Sequence, residues 1–155
     1  MAATQPEINS LIIPLAGQKM VVPQSGLAEV ISREETKPLE GGAHWLRGTI
    51  NWRGQQIPVI SLEQLCGRDA AQVSKDSRFI VLYAVERLPG LNYFAVEVSG
   101  IPHPLRLHDG NLLKGGSQDS ACMAVAMNVL AEGEEAVMLN APYIEQQISE
   151  QLQRL

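Results

Sequence analysis

The chain reads as a mainly β protein, an all-β barrel or sandwich. Three observations predict this. Short apolar runs recur along its length, Gly, Pro and Asn punctuate them, and their spacing is that of consecutive short strands. A length of 155 residues fits one domain, or two small lobes sharing a core. With 45% hydrophobic and 19% charged residues, the composition is that of a globular chain.

In order, residues 11–16, 19–23 and 27–32 read as the first strands, with Ala16-Gly17-Gln18 turning the first two into a hairpin. Residues 32–43 are polar and carry Pro38 and Gly41-Gly42, so they read as a surface loop. The segment 45–67 is the most informative. It predicts strands at 46–52 and 56–61, hinged at Arg53-Gly54, where a glycine supplies the positive φ of a tight hairpin. Pro58 cannot donate to a ladder, which places the second strand at a sheet edge or beside a bulge. Ser61 reads as the N-cap of a short helix over 62–66 that Gly67 stops. Period two sets Gly48, Ile50 and Trp52 on one face and Thr49, Asn51 and Arg53 on the other. Trp52 reads as core; Trp45 suits core or contact equally.

Residues 68–77 read as a polar connector between two halves. The run 78–85 is apolar on both faces, as expected of a central strand shared by two lobes. Strands follow at 92–99 and 101–107, then a polar loop at 109–119. A last hairpin, 120–130 with 136–140, turns at Glu132-Gly133-Glu134. Beyond it the period changes. Pro142 suits a first helical turn, and Ile144, Ile148, Leu152 and Leu155 form one stripe with Glu145, Gln147, Glu150 and Arg154 outside it. This predicts a C-terminal helix capping a barrel mouth.

Chemistry finds little purchase. The net charge is −5 and no stretch concentrates Lys or Arg, which argues against a nucleic-acid surface. Aromatics at 5% are too sparse for stacking on single strands. Residues 1–8 show no signal peptide, and no apolar run approaches the ~20 residues of a membrane span, so no membrane insertion is expected. The longest apolar run, 121–130, is interrupted by Asn128. Cys66 and Cys122 are too few for a disulfide framework and read as reduced, buried side chains of a cytoplasmic protein. His44, His103 and His108 lack the spacing of a zinc site and read as surface or loop residues. Cys66 would need a converging base to act as a nucleophile. No serine sits in a glycine-flanked elbow, and Gly115-Gly116-Ser117 lacks the lysine of a phosphate loop. Glu34-Glu35 and Glu134-Glu135 read as solvated faces. No catalytic, cofactor or metal residue is therefore expected.

The run Leu46-Arg-Gly-Thr-Ile-Asn-Trp-Arg-Gly, followed by Ile57-Pro-Val-Ile-Ser-Leu and a closing glycine, resembles the signature of CheW-like domains. Leu27-Ala-Glu-Val-Ile and Val96-Glu-Val-Ser-Gly-Ile extend the resemblance, which runs from about Ser10 to Ile144. Ser99 departs from the family's usual Asp, and residues 124–127 lack an expected glycine. The resemblance implies one domain over 1–155, built of two intertwined five-stranded SH3-like barrels with short helices and a C-terminal helix. It implies a non-enzymatic cytoplasmic adaptor without a cofactor, recruited to receptor arrays. Its partners would be the regulatory domain of a CheA-type histidine kinase and the cytoplasmic tip of chemoreceptors. Partner contacts are implied at Glu29, Ile31, Ile50, Asn51, Arg53 and Val59. The implied output is chemotaxis or pilus-driven motility, the latter in an accessory member of the ChpC type. Two other classes remain as alternatives. A generic SH3-like peptide binder would need an aromatic groove, and the few aromatics do not cluster in sequence. A small hydrolase would have to use Cys66 or a histidine.

Overall fold

Where alternating apolar residues meet a glycine turn, the chain folds back on itself. Leu15 pairs with Gln18 across Ala16-Gly17, and Ala131 pairs with Glu134 across Glu132-Gly133. The structure, a computed structural model, describes residues 8–107, 112–114 and 122–154. The strands are β1 (Ile8–Leu15), β2 (Gln18–Pro23), β3 (Leu27–Ser32), β4 (Leu46–Trp52), β5 (Gln55–Ile60), β6 (Arg78–Tyr83), β7 (Tyr93–Val98), β8 (His103–Leu107), β9 (Leu112–Lys114), β10 (Val125–Ala131) and β11 (Glu134–Leu139). Helix α1 (Leu62–Leu65) follows β5, and α2 (Ala141–Gln153) follows β11.

Hydrogen bonding sorts the strands into a five-stranded sheet, β3-β6-β7-β5-β4, and a six-stranded one, β8-β1-β2-β11-β10-β9. The two sheets match the expected pair of lobes, with the short β9 added to one. It falls inside the segment expected to be loop. The lobes are intertwined because the N-terminal hairpin belongs with the C-terminal strands: β1 runs antiparallel to β8, and β2 runs parallel to β11. The chain leaves the six-stranded sheet after β2 and returns to it at β8. Residues 68–77 therefore do not connect the lobes; they join α1 to β6 on the five-stranded side.

Burial explains why a single chain needs both sheets. Ile50, Trp52, Ile57, Val59, Phe79, Val81 and Ala95 fill the interior of one lobe. Ile12, Val21, Leu105, Leu107, Val129, Ala131 and Ala136 fill the other. A third and larger core takes side chains from both, among them Ile13, Met20, Ile60, Ile80, Phe94 and Val137. Strand β6 shows how. Phe79 and Val81 enter its own lobe, while Ile80 and Leu82 enter the shared core, although β6 is hydrogen-bonded in one sheet only. Its two apolar faces thus have two separate destinations. Each such large apolar side chain contributes roughly 1.5–3 kcal/mol of burial free energy.

Helix α2 does not cap a barrel mouth. Ile144 and Ile148, both 0% exposed, pack into the shared core between the lobes. The Asn140 side chain caps the helix by accepting the Tyr143 N–H, and proline stands in its first turn. Glu145, expected outside the apolar stripe, is fully buried. Its carboxylate accepts the N–H groups of Val85 and Glu86 at 2.9–3.0 Å, which is why a charge is tolerated there. Of the two places expected for Pro58, the edge is not the one found, since β5 lies between β4 and β7. Pro58 does sit beside a bulge, opposite Thr49 and next to the irregularity between Leu46 and Gly48. The ladder to β7 begins only at Val59, so the position without an N–H falls just before it.

Candidate partner-binding surface

Strands β4 and β5 are joined by a two-residue turn, with Arg53 at φ 49° and Gly54 at φ 79°. Positive φ at both positions is the type I′ geometry, whose twist matches that of the flanking strands. A bulge near Leu46 and Gly48 bends β4. The turn projects Arg53 outward, its side chain 65% exposed. On β3, a register irregularity between Leu27 and Glu29 precedes the partner residue.

These local features converge on one carboxylate oxygen. Glu29 Oε1 accepts the indole N–H of Trp52 at 3.1 Å and a guanidinium N–H of Arg53 at 3.1 Å. The Arg53 guanidinium also lies 4.6 Å from the centre of the Trp52 ring. Strands β3 and β4 are the two edges of the five-stranded sheet. The Glu29–Trp52 bond therefore bridges those two edges, as expected where a sheet curls towards a barrel. Trp52, predicted as core, is 6% exposed and packs inside its lobe, as Trp45 does in the shared core.

Beside the pair runs an aromatic row that sequence spacing did not reveal. Trp52 and Tyr93 have ring centres 4.8 Å apart, and Tyr93 and Tyr83 5.4 Å. The last two are cross-strand partners in the β6–β7 register, and Tyr83 is 47% exposed. The aromatics do cluster, and the signal for it was the hairpin register, which linear spacing does not show. Elsewhere on the same sheet, Glu97 receives Arg33 at 3.3 Å and Arg47 at 3.4 Å, and Arg47 also donates to Gln64 at 2.9 Å.

Of the six residues implied as contacts, Glu29 and Arg53 are brought together and Asn51 is exposed nearby on β4. Ile31 is half-buried against the lobe interior. Ile50 and Val59 are at 3% and 0% exposure, so their side chains face the interior of that lobe beneath the candidate surface. The cysteines also depart from expectation. Cys66 and Cys122 are joined in a disulfide, and both are half-buried. A nucleophilic Cys66 is not available in this state. His44 and His103 are exposed; His108 lies outside the described residues, as do residues 115–121. Among the described residues no helix is long and apolar enough to cross a membrane.

Residues 9–144 match the CheW-like domain family. The chain belongs to that family. This CheW-like chain is 27% identical over 89 residues to protein PilI of Pseudomonas aeruginosa, a match covering 57% of the chain and 49% of PilI. The chain thus spans about half the length of the curated relative it matches. Among solved structures it resembles the crystal structure of scaffolding protein TtCheW from Thermoanaerobacter tengcongensis. That likeness has a TM-score of 0.73 at 17% identity and covers 90% of this chain and 88% of the other. It is a likeness of fold, and it accords with a pair of SH3-like lobes.

Proposed function

We propose that this CheW-like protein is a non-enzymatic adaptor that couples chemoreceptors to a CheA-type histidine kinase in a chemosensory two-component pathway. The observation that carries the reading is the exposed Glu29–Arg53 pair, held on a packed lobe by Trp52 and flanked by Tyr93 and Tyr83. A planar guanidinium over an indole face, with donors left to spare, suits recognition of a carboxylate or of carbonyls at a helix end. Tyr and Arg beside one another are the residue types that anchor protein interfaces. Membership of the CheW-like family and the TtCheW-like fold support the same reading.

The mechanism needs no bond made or broken. Receptor and kinase held on separate faces of one rigid body change each other's populations through differential binding. The working site is the cytoplasm, at membrane-associated receptor arrays, with chemotaxis or pilus-driven motility as output.

The test is direct binding. The purified chain is mixed with the regulatory domain of a CheA-type kinase and, separately, with a receptor-tip fragment from the same source. Micromolar or tighter binding to both is expected. Binding to neither at those concentrations overturns the adaptor reading, and binding to one alone makes the chain an accessory module.

A further inference from the structure

The disulfide sits at a particular place in the fold. Cys66 ends α1, which follows β5 of the five-stranded sheet, and Cys122 precedes β10 of the six-stranded sheet. The bond is thus a covalent crosslink between the two lobes, 56 residues apart in sequence and 5.1 Å between Cα atoms. Both sulfur-bearing residues line an open groove of about 1300 Å³, with Leu65, Gly67 and Met123 beside them. The bond thus lies at the wall of an open groove and not inside a closed core.

Each wall of that groove has hydrogen bonds of its own besides the crosslink. Helix α1 is capped by Ser61, which accepts the Gln64 N–H at 3.2 Å. It is docked on the other lobe by the buried Glu63, whose carboxylate accepts the Ala16 N–H at 3.0 Å. On the opposite side, Asn140 donates to the Met123 carbonyl at 3.1 Å, and its own N–H donates to the Ala124 carbonyl. What the bond adds is a second tie, between the end of α1 and the segment that leads into β10. The chain holds two cysteines, so the couple is complete within itself.

We propose that Cys66–Cys122 is a reversible redox site that pins the segment leading into β10 to α1 when oxidised and releases that segment when reduced. Its reductant is a dithiol. One thiolate of the dithiol attacks a sulfur of the pair, the intrachain S–S bond breaks, and a mixed disulfide forms. The second thiol then displaces that bond. Two electrons and two protons pass to the chain, leaving two thiols, and the dithiol becomes a disulfide. The reverse exchange uses a low-molecular-weight disulfide as oxidant. In a reducing compartment, disulfides belong to transient and redox-sensing sites, which suits a bond at the wall of an open groove.

The test needs neither kinase nor receptor. The full chain is equilibrated at graded ratios of reduced to oxidised dithiothreitol, quenched in acid, alkylated and weighed by mass spectrometry. Circular dichroism and amide hydrogen exchange are followed in parallel. The expected result is one two-electron transition in which both thiols become labelled while the far-ultraviolet spectrum stays unchanged. Exchange at residues 122–125 rises about tenfold on reduction, while the Ala16 amide held by Glu63 stays protected. The double variant Cys66→Ser with Cys122→Ser reproduces the reduced exchange pattern at every ratio. A pair that resists dithiol until denaturant is added, thiols that label at every ratio, or loss of secondary structure on reduction would each overturn the proposal.

Discussion

Glu145 and Val85 stand 60 residues apart, yet both carboxylate oxygens of the first accept the N–H of the second, at 3.0 and 2.9 Å. A third bond, from Glu86 N–H at 2.9 Å, completes the anchor. One helical side chain thereby fixes the loop that follows β6 and seats α2 in the shared core. Replacing it strands N–H groups beside a buried cavity. Glu145→Ala should lower stability by about 3 kcal/mol, and Glu145→Gln by about 1–2 kcal/mol. Urea unfolding of both variants checks this; values within 0.5 kcal/mol of the parent would show that water replaces the carboxylate freely (a threshold of about one neutral hydrogen bond).

The Glu29–Arg53 pair lies at the surface, and such pairs contribute about 0–1 kcal/mol to stability. Arg53→Glu keeps the turn's backbone demand and puts like charges together. Stability should fall by less than about 1 kcal/mol, while affinity for one partner should fall by ~2–5 kcal/mol where the guanidinium is desolvated in the complex. Calorimetric titration beside thermal melting separates the two effects. A large loss of stability with unchanged binding would make Arg53 a structural residue.

Gly48 has φ 127° and sits where the backbone of Lys37 crosses β4. Lys37 and Thr49 exchange backbone hydrogen bonds there, at 2.8 and 2.9 Å. Any Cβ on residue 48 would overlap the Lys37 carbonyl. Gly48→Ala should therefore cost about 2–4 kcal/mol and expose the Lys37 and Thr49 amides to exchange. Retention of their protection would show that the crossing can shift aside.

Ile50 supports the proposed surface from below. Ile50→Ala should destabilise the protein by about 2–5 kcal/mol through a cavity in the lobe, with partner affinity of the folded fraction unchanged. Binding measured well below the melting temperature tells the cases apart. A selective loss of affinity at full stability would return Ile50 to the contact set.

Removing the crosslink frees a long loop in the unfolded chain. With a sequence separation of 56 between the cysteines, loop entropy sets an upper stabilisation of about 4 kcal/mol, equivalent to roughly 10 °C in Tm. The double serine variant should lose up to that amount and still fold. A Tm equal to that of the oxidised parent would show that the bond constrains nothing.

Much of this architecture was legible before any coordinates. Strands β3 and β4 lie over the residues predicted, because alternating side chains and glycine turns are local signals. The Ser61 cap and the Arg53-Gly54 turn were equally local, and so was the face shared by Gly48, Ile50 and Trp52. The site was half legible. Glu29 and Arg53 could be named, but burial of Ile50 and Val59 depended on which way the sheet curled, and linear spacing does not encode that.

The chain's own order of residues determined its β class, its turns and the stripe of its last helix, since each depends on neighbours a few positions away. Tertiary structure alone decided that β1 and β2 join the late strands, that Glu145 finds Val85, and that Cys66 meets Cys122. Those pairings are set by packing two curled sheets around a shared core. A contact between distant segments is a property of that packing, and no local pattern carries it.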